Sequence, residues 1–423
     1  MTKALRILVT CFLVILVVVG LLAASFPTRF RRVWFAAHLF SNRDHVAEFQ
    51  DMGSLFPAKL IRKSDHPLTF PQGTQIALPS HYVFNGKAED SASFLQDVDT
   101  TGLLVLHGDR VVYENYWRGT TPTTKTIGWS LTKSFVSALV GIAIAEGKIG
   151  SVEAPVTQYA PELKGSAYDG VRLKDVLQMS SGASWNEDYS DWNSDINRFG
   201  RAFAIGSSLD HFITTLKREH PPGTYHRYNS MDTQVLGLVL RRATGLSNTN
   251  YLESKLWDPL GMQDDALWVT DNDHKEFAAG GLNATLRDFA KLGELYLHLG
   301  RWNGRQIVPN AWVVASITPD APHLKPGKRI TSKEVMGYGM QWWIPDNDGD
   351  YTAIGVFNQF VYVNPQLQLV IAKTSANHLY GTGGSDENDR EDENIAFFKA
   401  VEQEFRTTDS NHPQNSAALD SAF

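Results

Sequence analysis

A hydroxyl and an amine lie three residues apart at Ser130 and Lys133, in the run Gly128-Trp129-Ser130-Leu131-Thr132-Lys133-Ser134-Phe135. On a helix, residues i and i+3 share a face, so the lysine nitrogen can reach the serine oxygen. Serine is a weak nucleophile until a base takes its proton, and a buried lysine with a depressed pKa is such a base. The positive end of a helix favours the neutral amine and steadies an oxyanion. The spacing alone carries little, because chance supplies on the order of one such pair in a chain of this length. A second chemical element follows in Pro222-Gly223-Thr224-Tyr225-His226-Arg227-Tyr228-Asn229-Ser230. Pro-Gly marks a turn, and Tyr228 stands where the loop gives way to an apolar run. A tyrosine there can act as a general base if a nearby cation, here Lys133, lowers its pKa.

Two kinds of element must hold these groups. Leu103 to Tyr116 reads as a β-hairpin turning at Gly108-Asp109. The stretch from Phe135 to Ala145 is too apolar for an exposed helix. The serine therefore opens a buried helix beside a sheet, a rigid place for chemistry. Rival constellations are weaker. There is no Gly-x-Ser-x-Gly elbow. None of the 13 histidines falls in a zinc-like spacing, so no metal and no cofactor are expected. Asp346-Asn347-Asp348-Gly349-Asp350 lacks the glycine and glutamate positions of a calcium loop and reads as a solvated hairpin turn. Gly-rich phosphate loops are absent, and a net charge of −7 argues against nucleic acid as a partner.

The Ser130 and Tyr228 stretches, together with Val176-Leu177-Gln178-Met179-Ser180-Ser181-Gly182 and residues 279–293, resemble the serine β-lactamase and penicillin-binding protein superfamily. The branch is that of class C β-lactamases, family VIII carboxylesterases and 6-aminohexanoate-dimer hydrolases. The resemblance covers residues 75–405 and implies an α+β, β-lactamase/transpeptidase-like fold. An antiparallel sheet would be flanked by helices, with a mainly helical insertion at about residues 153–271. It implies a Ser130 nucleophile, with Lys133 and Tyr228 sharing the proton work. The oxyanion would rest on the backbone N–H groups of Ser130 and Val356. Gly355 suits a close backbone approach to the substrate. Tyr189, in the loop after Ser-Gly, and Trp129 would face the substrate.

Two departures matter. The family's Tyr-x-Asn becomes Tyr228-Asn229-Ser230, which places Ser230 at the substrate. The family's third motif, Lys-Thr-Gly or His-x-Gly, falls on Ala353-Ile354-Gly355; Lys373-Thr374-Ser375 is a decoy on a later strand. Without a cation at Ala353, antibiotic hydrolysis becomes unfavourable, because the group that engages a β-lactam carboxylate is gone. Ala-x-Gly followed by Asn358-Gln359-Phe360 resembles the aminohexanoate and esterase side. The reading is a serine hydrolase (carboxylesterase or linear amide hydrolase) acting on a small ester or amide through an acyl-enzyme. The alternatives are a penicillin-recognising enzyme and a catalytically silent envelope binding protein.

At 423 residues, 43% hydrophobic and 20% charged, the chain can bury a large core. Lys3 and Arg6 precede residues 7–26, which carry no charge. That length suits a membrane span, and Ala23-Ala24-Ser25 also suits a cleavable signal; an uncleaved anchor is favoured. Either places the enzyme in the cell envelope, anchored in the inner membrane and facing the periplasm or released into it. Membrane contact would run through this segment. Residues 27–74 read as an N-terminal extension and 406–423 as a loose tail, with the last helix at residues 395–405 after a solvated acidic loop. Cys11 is the single cysteine, so no disulfide forms within the chain. Nothing in the sequence sets the oligomeric state.

Overall fold

Leu103 to Leu106 is an apolar run without alternation, and it becomes the middle of a sheet covered on both faces. Leu104 and Leu106 enter one core while Leu103 and Val105 enter a second. The computed structural model describes residues 3–10, 12–13, 27–383 and 388–410, the last four as backbone. Its main sheet contains β1 (Thr100–His107), β2 (Arg110–Tyr116), β3 (Gly337–Tyr338), β4 (Trp343–Ile344), β5 (Tyr351–Gly355), β6 (Gln359–Asn364) and β7 (Leu369–Ser375). They are ordered β3-β4-β5-β6-β7-β1-β2, every pair antiparallel. The first and last parts of the domain thus meet where β7 pairs with β1. At the β1–β2 turn, Gly108 and Asp109 both take left-handed φ, +55° and +63°, as a two-residue hairpin requires.

Six helices frame the site: α1 (Pro27–His38), α2 (Thr132–Ala145), α3 (Asp195–Ala204), α4 (Ser230–Thr244), α5 (Leu286–Leu297) and α6 (Glu391–Ser410). Helix α2 is buried from Thr132 to Ala143 on all sides, as its uniform apolarity demands. Helix α5 packs across β6 and β7 on the same side, and α6 covers the opposite face with Phe397, Phe398 and Val401. Between α2 and the strand Ala266–Val269 the regular elements are all helices, joined by loops. The architecture is α+β.

Three boundaries differ from expectation. Helix α6 starts at Glu391 rather than at residue 395, because Glu391, Asp392 and Glu393 occupy its first turn, where acids suit the helix dipole. It continues to Ser410, beyond the expected start of the tail at 406; residues 411–423 lie outside the described residues. The stretch read as an N-terminal extension is woven into the domain: Ala58–Ile61 pairs antiparallel with Ala266–Val269 in a second, four-stranded sheet. The 346–350 turn is held by Lys399, whose Nζ contacts Asp346, lies 3.0 Å from Asp348 and lies 3.4 Å from Asp350. Most of the proposed anchor, residues 14–26 with Cys11, lies outside the described residues. Among those described, no helix is long and apolar enough to cross a membrane.

Candidate active site

Ser130 sits on a 3₁₀ turn, Trp129–Leu131, that runs directly into α2. Trp129 before it has φ +47°. A bulky side chain in that region costs on the order of 1–3 kcal/mol and persists only where the surroundings impose it. Here the indole is clamped by Phe49 and Phe357 at 5.4 and 5.9 Å between centroids. The turn aims Ser130 Oγ at Lys133, one turn on, with Nζ 2.7 Å away. Lys133 is 2% exposed, and its Nζ also reaches the Ala279 carbonyl at 2.7 Å and Ser230 Oγ at 3.2 Å. A neutral amine has two N–H donors and one lone pair. The Ala279 and Ser230 oxygens take the donors, which leaves the lone pair for the Ser130 proton. Burial holds the lysine down at about 7, against an opposing pull from the Glu187 carboxylate.

Glu187 is a pocket residue that the sequence did not single out. Its Oε1 accepts from Ser230 Oγ at 2.5 Å and from the Tyr189 hydroxyl at 2.9 Å. Its Oε2 accepts from the Ser230 backbone N–H at 3.0 Å and from the Trp185 indole N–H. Ser230 donates to this carboxylate while accepting from Lys133, so it links acid and amine. Glu187 lies in a polar loop beside Asp188 with nothing in its spacing to single it out; only the fold brings it to α4. Tyr189 faces the same pocket as Ser130, with its ring against Phe40 at 4.7 Å.

Tyr228 corrects an expectation. Its phenol pKa is raised well above the usual value, by burial first and then by Tyr338 and Glu187, while a hydrogen bond with the Ser130 side chain pulls the other way. Lys133 Nζ lies 5.2 Å from the ring centroid, yet the phenol is shifted upward, because burial outweighs whatever charge the amine carries. The shift favours the neutral phenol at Tyr228, which can donate a proton, beside an amine at Lys133 that can accept one. The ring is held by Trp343, stacked at 5.1 Å. Below it, Asp232 accepts from Tyr168, Ser181 and Asn229, and burial pushes its carboxyl up to about 8.

The third motif lies on β5, beside the Ser130 turn. Gly355 is required there by a neighbour other than substrate: a Cβ on it would stand 2.2 Å from the Gly128 carbonyl oxygen. The close approach at Gly355 is thus to the loop that carries Ser130. It brings Val356 into the pocket that Ser130 lines. After Val356, Phe357 and Asn358 take φ +64° and +68° to turn the chain into β6. Gln359 Nε2 ties this turn to β7 by donating to Ser375 O at 2.6 Å. Ala353 is 1% exposed and packs into the core on the α2 side. Lys373 is buried on β7, separated from β5 by β6, and donates to Ser375 Oγ at 2.6 Å.

Beside Ser130 opens a narrow pocket of about 80 Å³ with a largely apolar lining. Metal-capable side chains converge elsewhere among the described residues, at Asp109, Glu294 and His298 by the β1–β2 turn. These pair with one another: His298 Nε2 lies 2.5 Å from Asp109 and 3.5 Å from Glu294, and the two acids raise the imidazole to about 9.

This fold and the Ser-Lys pair define a β-lactamase-related serine hydrolase. The chain belongs to the Beta-lactamase family, whose model matches residues 92–396. It is 32% identical over 337 residues to a 6-aminohexanoate-dimer hydrolase of Paenarthrobacter ureafaciens, covering 78% of this chain and 84% of that one. A Bacillus anthracis structure named for 6-aminohexanoate-dimer hydrolase superposes with a TM-score of 0.75 at 23% identity, over 87% of this chain and 97% of the other. EstCE1, described as a hydrolase with promiscuous acyltransferase activity, gives a TM-score of 0.57 at 15% identity, over 73% of this chain and 98% of the other.

Proposed function

We propose that this hydrolase cleaves small esters or linear amides through an acyl-enzyme on Ser130. The observation that carries the reading is the buried 2.7 Å contact between Ser130 Oγ and a lysine held at about 7. Neutral Lys133 takes the hydroxyl proton as Oγ attacks the carbonyl carbon. The oxyanion is held by the N–H groups of Ser130 and Val356, a type of contact worth about 2.7–4 kcal/mol per donor. The neutral phenol of Tyr228 delivers a proton to the departing oxygen or nitrogen, and the proton gained by Lys133 restores it. Water then attacks the acyl-serine by the same route in reverse. The test is Ser130→Ala: ester turnover should fall by a factor of about 10³ or more with the fold intact, and mass spectrometry of the parent should place the acyl group on the Ser130 peptide. Near-normal turnover by the variant would remove the reading.

Penicillins and cephalosporins are poor substrates in this proposal. At Ala353 the strand offers a buried methyl group where a β-lactamase presents a cation to the substrate carboxylate. Measured side by side, kcat/KM for a nitrophenyl ester should exceed that for a chromogenic cephalosporin.

The proposed location is the cell envelope, anchored through the N-terminal segment. Support comes from the uncharged residues 7–26 in the sequence and from α1, which exposes Phe30, Val33 and Trp34 in helical register beside Arg29 and Arg31. Such a helix suits an anionic membrane interface. Fractionation of cells with alkaline washing checks this: the enzyme should stay with the membranes.

A further inference from the structure

The pocket beside Ser130 is unusual in what lines it. From the N-terminal segment come Phe35, Leu39, Phe40 and Phe56; from the insertion come Phe199 and Phe203 on α3. Glu187 is the single charged residue in that lining, and both its oxygens are already engaged by Ser230, Tyr189 and Trp185. Asn197 likewise spends its amide on the Tyr189 and Asp191 carbonyls at 2.9 Å. The lining therefore offers no cation to a substrate carboxylate, and an ammonium drawn to Glu187 would have to displace one of its four hydrogen bonds, while a charge left unpaired in apolar surroundings costs several kcal/mol.

The pocket also has a side. Ser130 and Val356, which hold the carbonyl carbon and its oxygen in the proposed reaction, line it. Tyr228, which serves the leaving group, does not; its ring packs against Trp343 and Tyr338 instead. The chamber therefore receives what is attached to the carbonyl carbon rather than what departs from it.

Resting on the acyl-enzyme reading above, we propose that the acyl group of the substrate is an uncharged aliphatic chain longer than butyryl, lodged in the phenylalanine-lined chamber roofed by α1. This separates the chain from any enzyme acting on zwitterionic amino-acid oligomers, whose free ammonium would have to enter the same chamber.

The experiment uses the full chain and nitrophenyl esters of acetate, butyrate, hexanoate and octanoate, together with the 6-aminohexanoate ester. Each methylene drawn out of water should raise kcat/KM about threefold to fourfold while the chain stays inside. The hexanoate ester should exceed its 6-amino analogue by more than tenfold. Gly200 on α3 lines the chamber, and an added Cβ there would meet no atom within 4 Å. Gly200→Leu should therefore place its Cβ without a clash and send the rest of the side chain into the chamber, and replacing a helical glycine favours the helix. Its octanoate-to-acetate ratio should drop at least tenfold with no loss of Tm. A flat or falling chain-length profile, or equal use of the aminohexanoate ester, with turnover still lost in Ser130→Ala, would overturn the acyl chamber and leave the serine mechanism standing. Turnover that survives Ser130→Ala would overturn both.

Discussion

Lys133 must be neutral to take a proton, and its neighbours decide the pH at which that holds. Burial lowers its pKa to about 7 and Glu187 raises it. Below about pH 7 the amine is protonated, so kcat/KM should fall tenfold per pH unit on the acid side and level off above it. Glu187→Gln removes the group that raises the lysine, so the acid limb should shift to lower pH. A limb that stays in place would assign it to another group. Tyr228, carried above its usual range, should contribute no alkaline limb near 10. The same shift has a stability side. A lysine at about 7 when folded and near 10.4 when unfolded costs stability fully below 7, and the cost is relieved as pH rises towards 10.4. Lys133→Met should accordingly gain Tm relative to the parent as pH falls from 9 to 6. Ser130 and Lys133 were legible because their contact follows from helical spacing. Tyr228 was legible as a residue, but its protonation state depends on burial by Tyr338 and Trp343, which no local pattern encodes. Glu187 was illegible because it meets Ser230 from another segment of the chain, across 43 residues.

The elements that carry the site meet at very short range, and the closest approach is between β5 and the Ser130 turn. Gly355→Ala puts a methyl group against a backbone oxygen that cannot swing away. The strand must retreat, at a cost of about 1–3 kcal/mol, and Val356 retreats with it. Lower kcat at little-changed KM, together with a reduced Tm, is the expected result; a normal kcat would mean that Val356 has no part in the oxyanion site. The hairpins were legible here because turn residues and apolar runs mark them locally, and α2 because it is apolar on every side. The end of α6 was not, since polar residues 406–410 continue a helix that the buried residues upstream have already nucleated. The purpose of Gly355 was also hidden: the sequence shows a residue without a Cβ but not the Gly128 carbonyl that excludes one.

Across the whole molecule, helix α1 has two faces with separate duties. Phe35 points inward, 4% exposed, stands edge-on to Phe56 at 6.1 Å between centroids and lines the chamber. Phe56 in turn stacks on Phe203 of α3 at 5.0 Å. Trp34, its neighbour in sequence, is 50% exposed. A stretch that reads as an N-terminal extension is thus part of the domain's core, because its phenylalanines find partners far along the chain, Phe49 on Trp129, Phe40 on Tyr189 and Phe56 on Phe203. Adjacent substitutions should behave oppositely. Phe35→Ala removes a buried ring and should cost about 3–5 kcal/mol, read as a lower midpoint in urea at unchanged slope. Trp34→Ala touches the surface and should change stability by no more than about 0.5 kcal/mol, yet it should weaken sedimentation of the protein with vesicles containing anionic lipid, where an interfacial tryptophan contributes directly. If both variants lost stability equally, the outer face would be a packed surface rather than a membrane-facing one. If Trp34→Ala left vesicle binding intact, α1 would serve the chamber alone.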